Sequence, residues 1–144
     1  MRDLAPHIHR QRLVIEGSVT SSIGADDIVR YLKDVGRITQ MRVLTEPVTH
    51  RSPMYGWAGW VHWETSGAHF YAWDVPHRFF SVDIYTCKAF DADAVIAFTT
   101  EFFDATEIVA HGFFPVGALP ADTTTGTRVR IDEVLTGRPA ADRW

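Results

Sequence analysis

The sequence predicts an α+β fold: a two-layer α/β sandwich in which two helices cover one face of an antiparallel sheet. Three observations lead there. Short β-prone runs follow one another with tight turns between them. Two segments repeat apolar residues at helical spacing. A block of strands separates those two segments, so helices and strands do not alternate along the chain. With 144 residues the chain has the length of one domain. A chain of this size buries about 68–70% of its unfolded surface and needs no disulfide staples.

Arg10–Thr20 reads as a first strand, because Leu13, Val14 and Ile15 are β-prone and Gly17 and Ser18 close the run. Ala25–Val35 reads as a helix. Ile28, Tyr31, Leu32 and Val35 recur at i, i+3, i+4 and i+7, Asp26 and Asp27 fall in the first turn, and Gly36 ends it. Gln40–Leu44 is a short second strand running into Glu46-Pro47, and Thr49–Tyr55 is a loop broken by Pro53. Trp57–Trp63, Ala68–Trp73 and Phe79–Cys87 are three closely spaced strands. Thr65-Ser66-Gly67 makes a tight connection, and Asp74–His77 holds the next turn at Pro76. Ala92–Phe103 is a second helix, with Ala94, Val95, Phe98 and Phe102 on one side and Asp91 as N-cap. Glu107–Phe114 is the last strand. The expected domain spans 1–118. After Pro120 the chain turns rich in Thr, Asp, Arg and Gly, which reads as a loosely attached polar tail over 119–144.

Charge and composition remove several classes of function. Lys plus Arg number 14 against 18 Asp plus Glu, a net charge of −4, which is a poor footprint for nucleic acid. No basic amphipathic run points to a membrane surface. No apolar run approaches the ~18 residues of a span, and Met1–Arg12 lacks the apolar core of a signal peptide. A cytoplasmic location is the expectation. The one cysteine, Cys87, excludes an intramolecular disulfide and a multi-cysteine metal cage.

Aromatic residues make up 12% of the chain, and Trp57, Trp60, Trp63 and Trp73 fall close together. They read as core filling and a buried subunit interface, or as the wall of a ligand pocket. A sheet covered on one face leaves the other for a partner, and tryptophans on the Trp57–Trp63 strand would suit a homodimer interface.

Chemical motifs are sparse. His7 and His9 share one face of an extended segment, but there is no HExxH, cysteine cluster or carboxylate pair at ligand spacing, so no metal is expected. No GxSxG elbow, GxGxxG turn or Walker loop is present.

His50–Phe90 carries a family resemblance. His50-Arg51-Ser52-Pro53-Met54-Tyr55-Gly56-Trp57-Ala58-Gly59 resembles the His-x-Phe-x-Pro-x-Gly-Val-Ser-Gly entry of the bacterial S-adenosylmethionine decarboxylases. Counting on, Thr65-Ser66-Gly67 falls on the family's Glu-Ser-His, and Trp73 on the tryptophan of its Thr-Trp-Pro-Glu. After one inserted residue, Ser81-Val82-Asp83-Ile84-Tyr85-Thr86-Cys87 is similar to Ala-Val-Asp-Val-Phe-Thr-Cys. The likeness covers Gln11–Phe114.

The resemblance implies self-cleavage before a serine, here Ser66, to leave a pyruvoyl group that acts as electron sink for decarboxylation. It also implies a cysteine, here Cys87, that reprotonates the product. The other family roles do not carry over, because different residues stand at their positions. The processing serine is Ala58, the histidine of the elimination is Tyr71, and the residues flanking the scissile serine are Thr65 and Gly67. The adenine-stacking phenylalanine falls at Ser52, and the ribose-binding glutamate near Val75 or Pro76, where Asp74 is a substitute. His69 shares strand parity with Tyr71 and is a partial replacement for the missing histidine.

The catalytic candidates are therefore Ser66, Cys87, Tyr71 and His69, and the substrate-binding candidates are Trp73, Asp74, Ser52 and Glu64. The leading expectation is a homodimer that binds or transforms S-adenosylmethionine or a related amine by lyase-type chemistry, with no cofactor. One alternative is a pyruvoyl-dependent decarboxylase of polyamine biosynthesis, cleaved at Thr65-Ser66. The other is a non-catalytic binding or regulatory relative.

Overall fold

The structure is a computed structural model that describes residues 7–113 and the strand Asp132–Gly137. Its sheet grows from alternation. In β1 (Gln11–Ser18) every odd residue from Gln11 to Gly17 is buried and every even one faces outward, the period-2 pattern of a half-covered strand. The same alternation recurs in β4 (Ser66–Trp73) and β5 (Phe79–Thr86), whose Ala68, Phe70, Ala72, Phe80, Val82 and Ile84 point to one side. With β2 (Val48–Ser52), β3 (Gly56–Trp63), β6 (Glu107–Phe113) and β7 they form a seven-stranded sheet in the order β2-β3-β4-β5-β1-β6-β7. Every neighbouring pair is antiparallel.

Both helices lie on the buried face. α1 (Ala25–Ile38) packs over β2 and β3, α2 (Ala92–Phe102) over β1 and β6, and the two helices touch. Asp27 accepts a hydrogen bond from the Gly24 N–H at 3.0 Å and, with Asp26, complements the N-terminal dipole of α1. Asp91 caps α2, accepting from the Ala94 N–H at 3.1 Å. Tyr31 is the centre of the core. It is fully buried, its ring lies 4.9–5.7 Å from Phe70, Phe98, Phe102 and Phe103, and its hydroxyl meets that of Thr99 at 2.9 Å. Burying a ring of that size is worth about 1.5–3 kcal/mol. Burial also pushes the phenol well above its ordinary pKa, against a smaller opposing effect of the Thr99 hydrogen bond.

The α+β sandwich with both helices on one face is as expected, and three local expectations are corrected. Gln40–Leu44 is not a strand; it contributes one isolated bridge, Val43 to Trp63, and the second strand is Val48–Ser52 inside the expected loop. That strand is the sheet's outer edge and is mostly exposed, so it lacks the buried–exposed alternation that marks the others. Helix α1 runs past Gly36 to Ile38. A Cβ on Gly36 would lie 3.1 Å from the Trp63 indole nitrogen, so this glycine serves close packing and not a helix stop. Gln40, at φ 56°, makes the left-handed turn that ends the helix, with the Met41 N–H bonded to the Gly36 carbonyl at 2.8 Å. Finally, Ser66 and Gly67 belong to β4 and the turn is shorter than expected. Within the expected tail, Asp132–Gly137 pairs with β6 as an edge strand; the remainder of 119–144 lies outside the described residues.

The strand-three tryptophans divide. Trp63 is buried and Trp57 packs against the core beneath the helices, so neither lies on the uncovered face. Trp60 alone of the three faces outward.

Candidate active site

Among the described residues one face of the sheet carries no helix, and the even–odd register shows which residues stand on it. His69, Tyr71 and Trp73 alternate along β4, opposite Asp83, Ser81 and Phe79 of β5. Tyr71 is 42% exposed and Tyr85 45%. Arg12 of β1 faces Tyr85 and forms an ion pair with Asp83, donating from Nε at 2.8 Å. The pair raises the Arg12 pKa, chiefly through the hydrogen bond.

Ser66 and Cys87 meet at one end of this sheet. Ser66 pairs with Thr86, and its Oγ accepts a hydrogen bond from the Cys87 backbone N–H at 2.9 Å. The same N–H reaches the Thr65 carbonyl at 2.9 Å. The loop after Cys87 is fixed from below by buried Gln11. Its amide donates to the Phe90 carbonyl at 3.0 Å and accepts from the Phe90 N–H at 3.2 Å. Glu64 lies in the adjacent turn, 3.4 Å from Arg42, and Thr65 Oγ1 lies 3.0 Å from the Met41 sulfur.

The other predicted residues stand elsewhere. Trp73 ends β4, seven residues from Ser66, a separation of roughly 23 Å along an extended strand. Its ring packs 5.8 Å from Tyr55, 5.9 Å from Tyr71 and 5.2 Å from Phe79. Asp74 follows it, with its backbone N–H on the Tyr55 carbonyl at 2.8 Å. Ser52, at the end of β2, accepts from the Met54 N–H at 3.2 Å. Thus Ser66, Cys87 and Glu64 share one end, and Trp73, Asp74 and Ser52 share the other. His69 and Tyr71 stand between them.

A cleft of about 570 Å³ opens at the Trp73 end, lined by Glu16, Ser18, Trp73, Phe79, Glu107 and Val109, among others. Glu16 sits opposite Val109, and Glu107 opposite Ser18, so the two carboxylates are diagonal neighbours on one face. Aromatic rings close the opposite wall. Such a lining suits a flat ring together with a positive charge. Glu16, Glu107, Phe79 and Tyr55 escaped the reading of the sequence as site residues. The available signal was strand alternation, which places Glu16 and Glu107 on neighbouring strands facing away from the core.

Comparisons with known proteins agree with this architecture. The family model for S-adenosylmethionine decarboxylase matches residues 23–113. Among solved structures, the adenosylmethionine decarboxylase from Aquifex aeolicus VF5 superposes with a TM-score of 0.62 at 14% identity. The match covers 83% of this chain and 98% of that one, and at such low identity it speaks to the fold alone. A search of curated proteins finds no match. Over well more than half of its length, and in the fold that carries it, the chain belongs to the S-adenosylmethionine decarboxylase family.

Proposed function

We propose that the protein binds S-adenosylmethionine, or an amine of similar charge, and transforms it by lyase-type chemistry without a pyruvoyl group. The observation that carries this reading is the cleft in which Glu16 and Glu107 face Trp73 and Phe79. A purine stacks on the aromatic wall while a sulfonium or ammonium centre sits near the carboxylates.

The residues present do not fit self-processing. Where the family has a processing serine and an eliminating histidine, this chain has Ala58, a buried methyl, and Tyr71, a half-exposed phenol. Positioned acid–base groups contribute ~10²–10⁴-fold to such steps. Chemistry at a sulfonium centre needs less: orientation, exclusion of water and one base. The base removes a proton from carbon, the C–H electron pair becomes a new C=C bond, the C–S bond breaks, and its electron pair returns to sulfur as a neutral thioether. His69 is the base in this reading, with Tyr71 beside it on the same strand face.

A second copy of the chain completes the site. The Ser66–Cys87 end and the cleft are too far apart to act on one small molecule within a single chain. Pairing two uncovered faces in opposite directions sets one chain's Ser66–Cys87 end beside the other's Trp73 and Asp74. Trp60, Tyr71 and Tyr85 then lose their exposure.

A calorimetric titration with S-adenosylmethionine up to millimolar concentration, followed by mass analysis of products, tests the reading. Saturable heat with loss of the sulfonium and retention of the carboxylate carbon is expected; neither binding nor turnover overturns it. A second reading, a true decarboxylase cut at Thr65–Ser66, is favoured by one observation, the juxtaposition of Ser66 and Cys87. It predicts release of carbon dioxide.

A further inference from the structure

On the uncovered face the strand register sets Asp83 of β5 directly opposite His69 of β4. Residues so opposed hold their Cβ atoms about 4.5–5.5 Å apart, which brings the carboxylate within reach of the imidazole. Both Asp83 oxygens go instead to Arg12 of β1, Oδ1 accepting from Nε at 2.8 Å and Oδ2 from Nη2. Arg12 is only the diagonal neighbour of Asp83. Its own direct partner is Tyr85, and the residue that faces Asp83 across β1 is the apolar Val14. A long side chain on the diagonal has therefore taken the carboxylate that the register offers to His69. The planar guanidinium makes this possible, because its fork matches both carboxylate oxygens at once.

We propose that Arg12 is a positioning residue for His69: by clamping Asp83 at two points it keeps that carboxylate off the imidazole and leaves a ring nitrogen free to accept a proton. Its role in turnover rests on the reading above, in which His69 is the base. A carboxylate held against an imidazole favours the imidazolium, which has no lone pair left to take a proton from carbon. With Arg12 in place the local pair is neutral, and the hydrogen bond to Asp83 leads the effects that raise the Arg12 pKa.

The other groups around His69 bring no second carboxylate. On β3 its direct partner is Trp60, with Ala58 and His62 on the diagonals. On β5 the diagonals are Ser81 and Tyr85, and on its own strand Gly67 and Tyr71 flank it. Among these described neighbours Asp83 is the carboxylate, so the Arg12 clamp decides whether His69 meets a negative charge.

The pH titration of the His69 ring in the full-length protein, followed by NMR and assigned by its loss in His69→Gln, tests this. Arg12→Gln frees Asp83 to turn to its direct neighbour, and the His69 midpoint is expected to rise by roughly half a pH unit or more. The Arg12 side chain is half exposed, and an exposed pair contributes little to stability, so this variant keeps the fold. Superimposable curves for the native chain and Arg12→Gln overturn the proposal. Combining Arg12→Gln with Asp83→Asn should restore the native midpoint, and a rise that survives without the carboxylate also overturns it. Arg12→Lys separates the clamp from simple charge, since lysine keeps the charge but has no fork. It is expected to raise the midpoint by less than Arg12→Gln does; a native-like curve would assign the effect to charge alone and overturn the positioning role. None of these measurements uses substrate, so a failure to bind S-adenosylmethionine would sink the functional reading while leaving the Arg12–Asp83–His69 link standing.

Discussion

Ser66 Oγ accepts a hydrogen bond from the Cys87 backbone N–H at 2.9 Å, locking the first residue of β4 to the residue that follows β5. Twenty-one positions apart in sequence, the two become neighbours because β4 and β5 pair in a register that sets Ser66 against Thr86. The contact engages a lone pair of the very hydroxyl that would have to attack the preceding carbonyl. Ser66→Ala removes that acceptor but leaves the Thr65 carbonyl to take the Cys87 N–H. A loss of about 1 kcal/mol in urea unfolding is expected, with the circular dichroism spectrum unchanged.

The cleft carboxylates are expected to bind charge and not to hold the fold. Glu16→Gln keeps the shape of the lining and removes one negative charge. It should weaken the S-adenosylmethionine titration by about tenfold, or ~1.4 kcal/mol, with little change in melting temperature. An equal affinity would place the sulfonium elsewhere.

Tyr31 makes a stability prediction with a pH signature. Tyr31→Phe loses the hydrogen bond to Thr99, which still donates to the Val95 carbonyl at 2.7 Å, so the cost should be about 1 kcal/mol. Tyr31→Ala should cost about 3–5 kcal/mol. The folded-state phenol titrates well above the unfolded value of 10.0, so the fold retains a proton that the unfolded chain releases. Its contribution is fully present below pH ~10 and declines as pH rises above it. Alkaline denaturation curves should show that decline in the native chain and less of it in Tyr31→Phe.

The uncovered face gives an association test. Tyr71→Glu puts a charge on the exposed face beside Trp73. Sedimentation should report a dimer for the native chain and a monomer for the variant, and a native monomer would remove the composite site.

How far the sequence could be read depended on burial. The strands and helices with one clear apolar face, Leu13 and Ile15 in β1 or Ile28, Tyr31, Leu32 and Val35 in α1, were legible because burial imposes their period. β2 was not, because an exposed edge strand bracketed by Pro47 and Pro53 has no such period. Gly36 misled for a related reason. Its role, room for the Trp63 indole, depends on a residue far along the chain. The site was legible in its residue types at Ser66, Cys87 and Trp73, but not in its geometry. The expected strand already sets Trp73 a strand length from Ser66, but only the strand register reveals that Glu16 and Glu107 line one cleft with Trp73.

The central claim, a family member that works without cutting itself, is tested most directly by the intact mass of the purified, active protein, repeated after borohydride treatment. The account predicts one uncut chain of 16.3 kDa, unchanged by the reductant. Two fragments dividing between Thr65 and Ser66, with the second gaining mass on reduction, would contradict it.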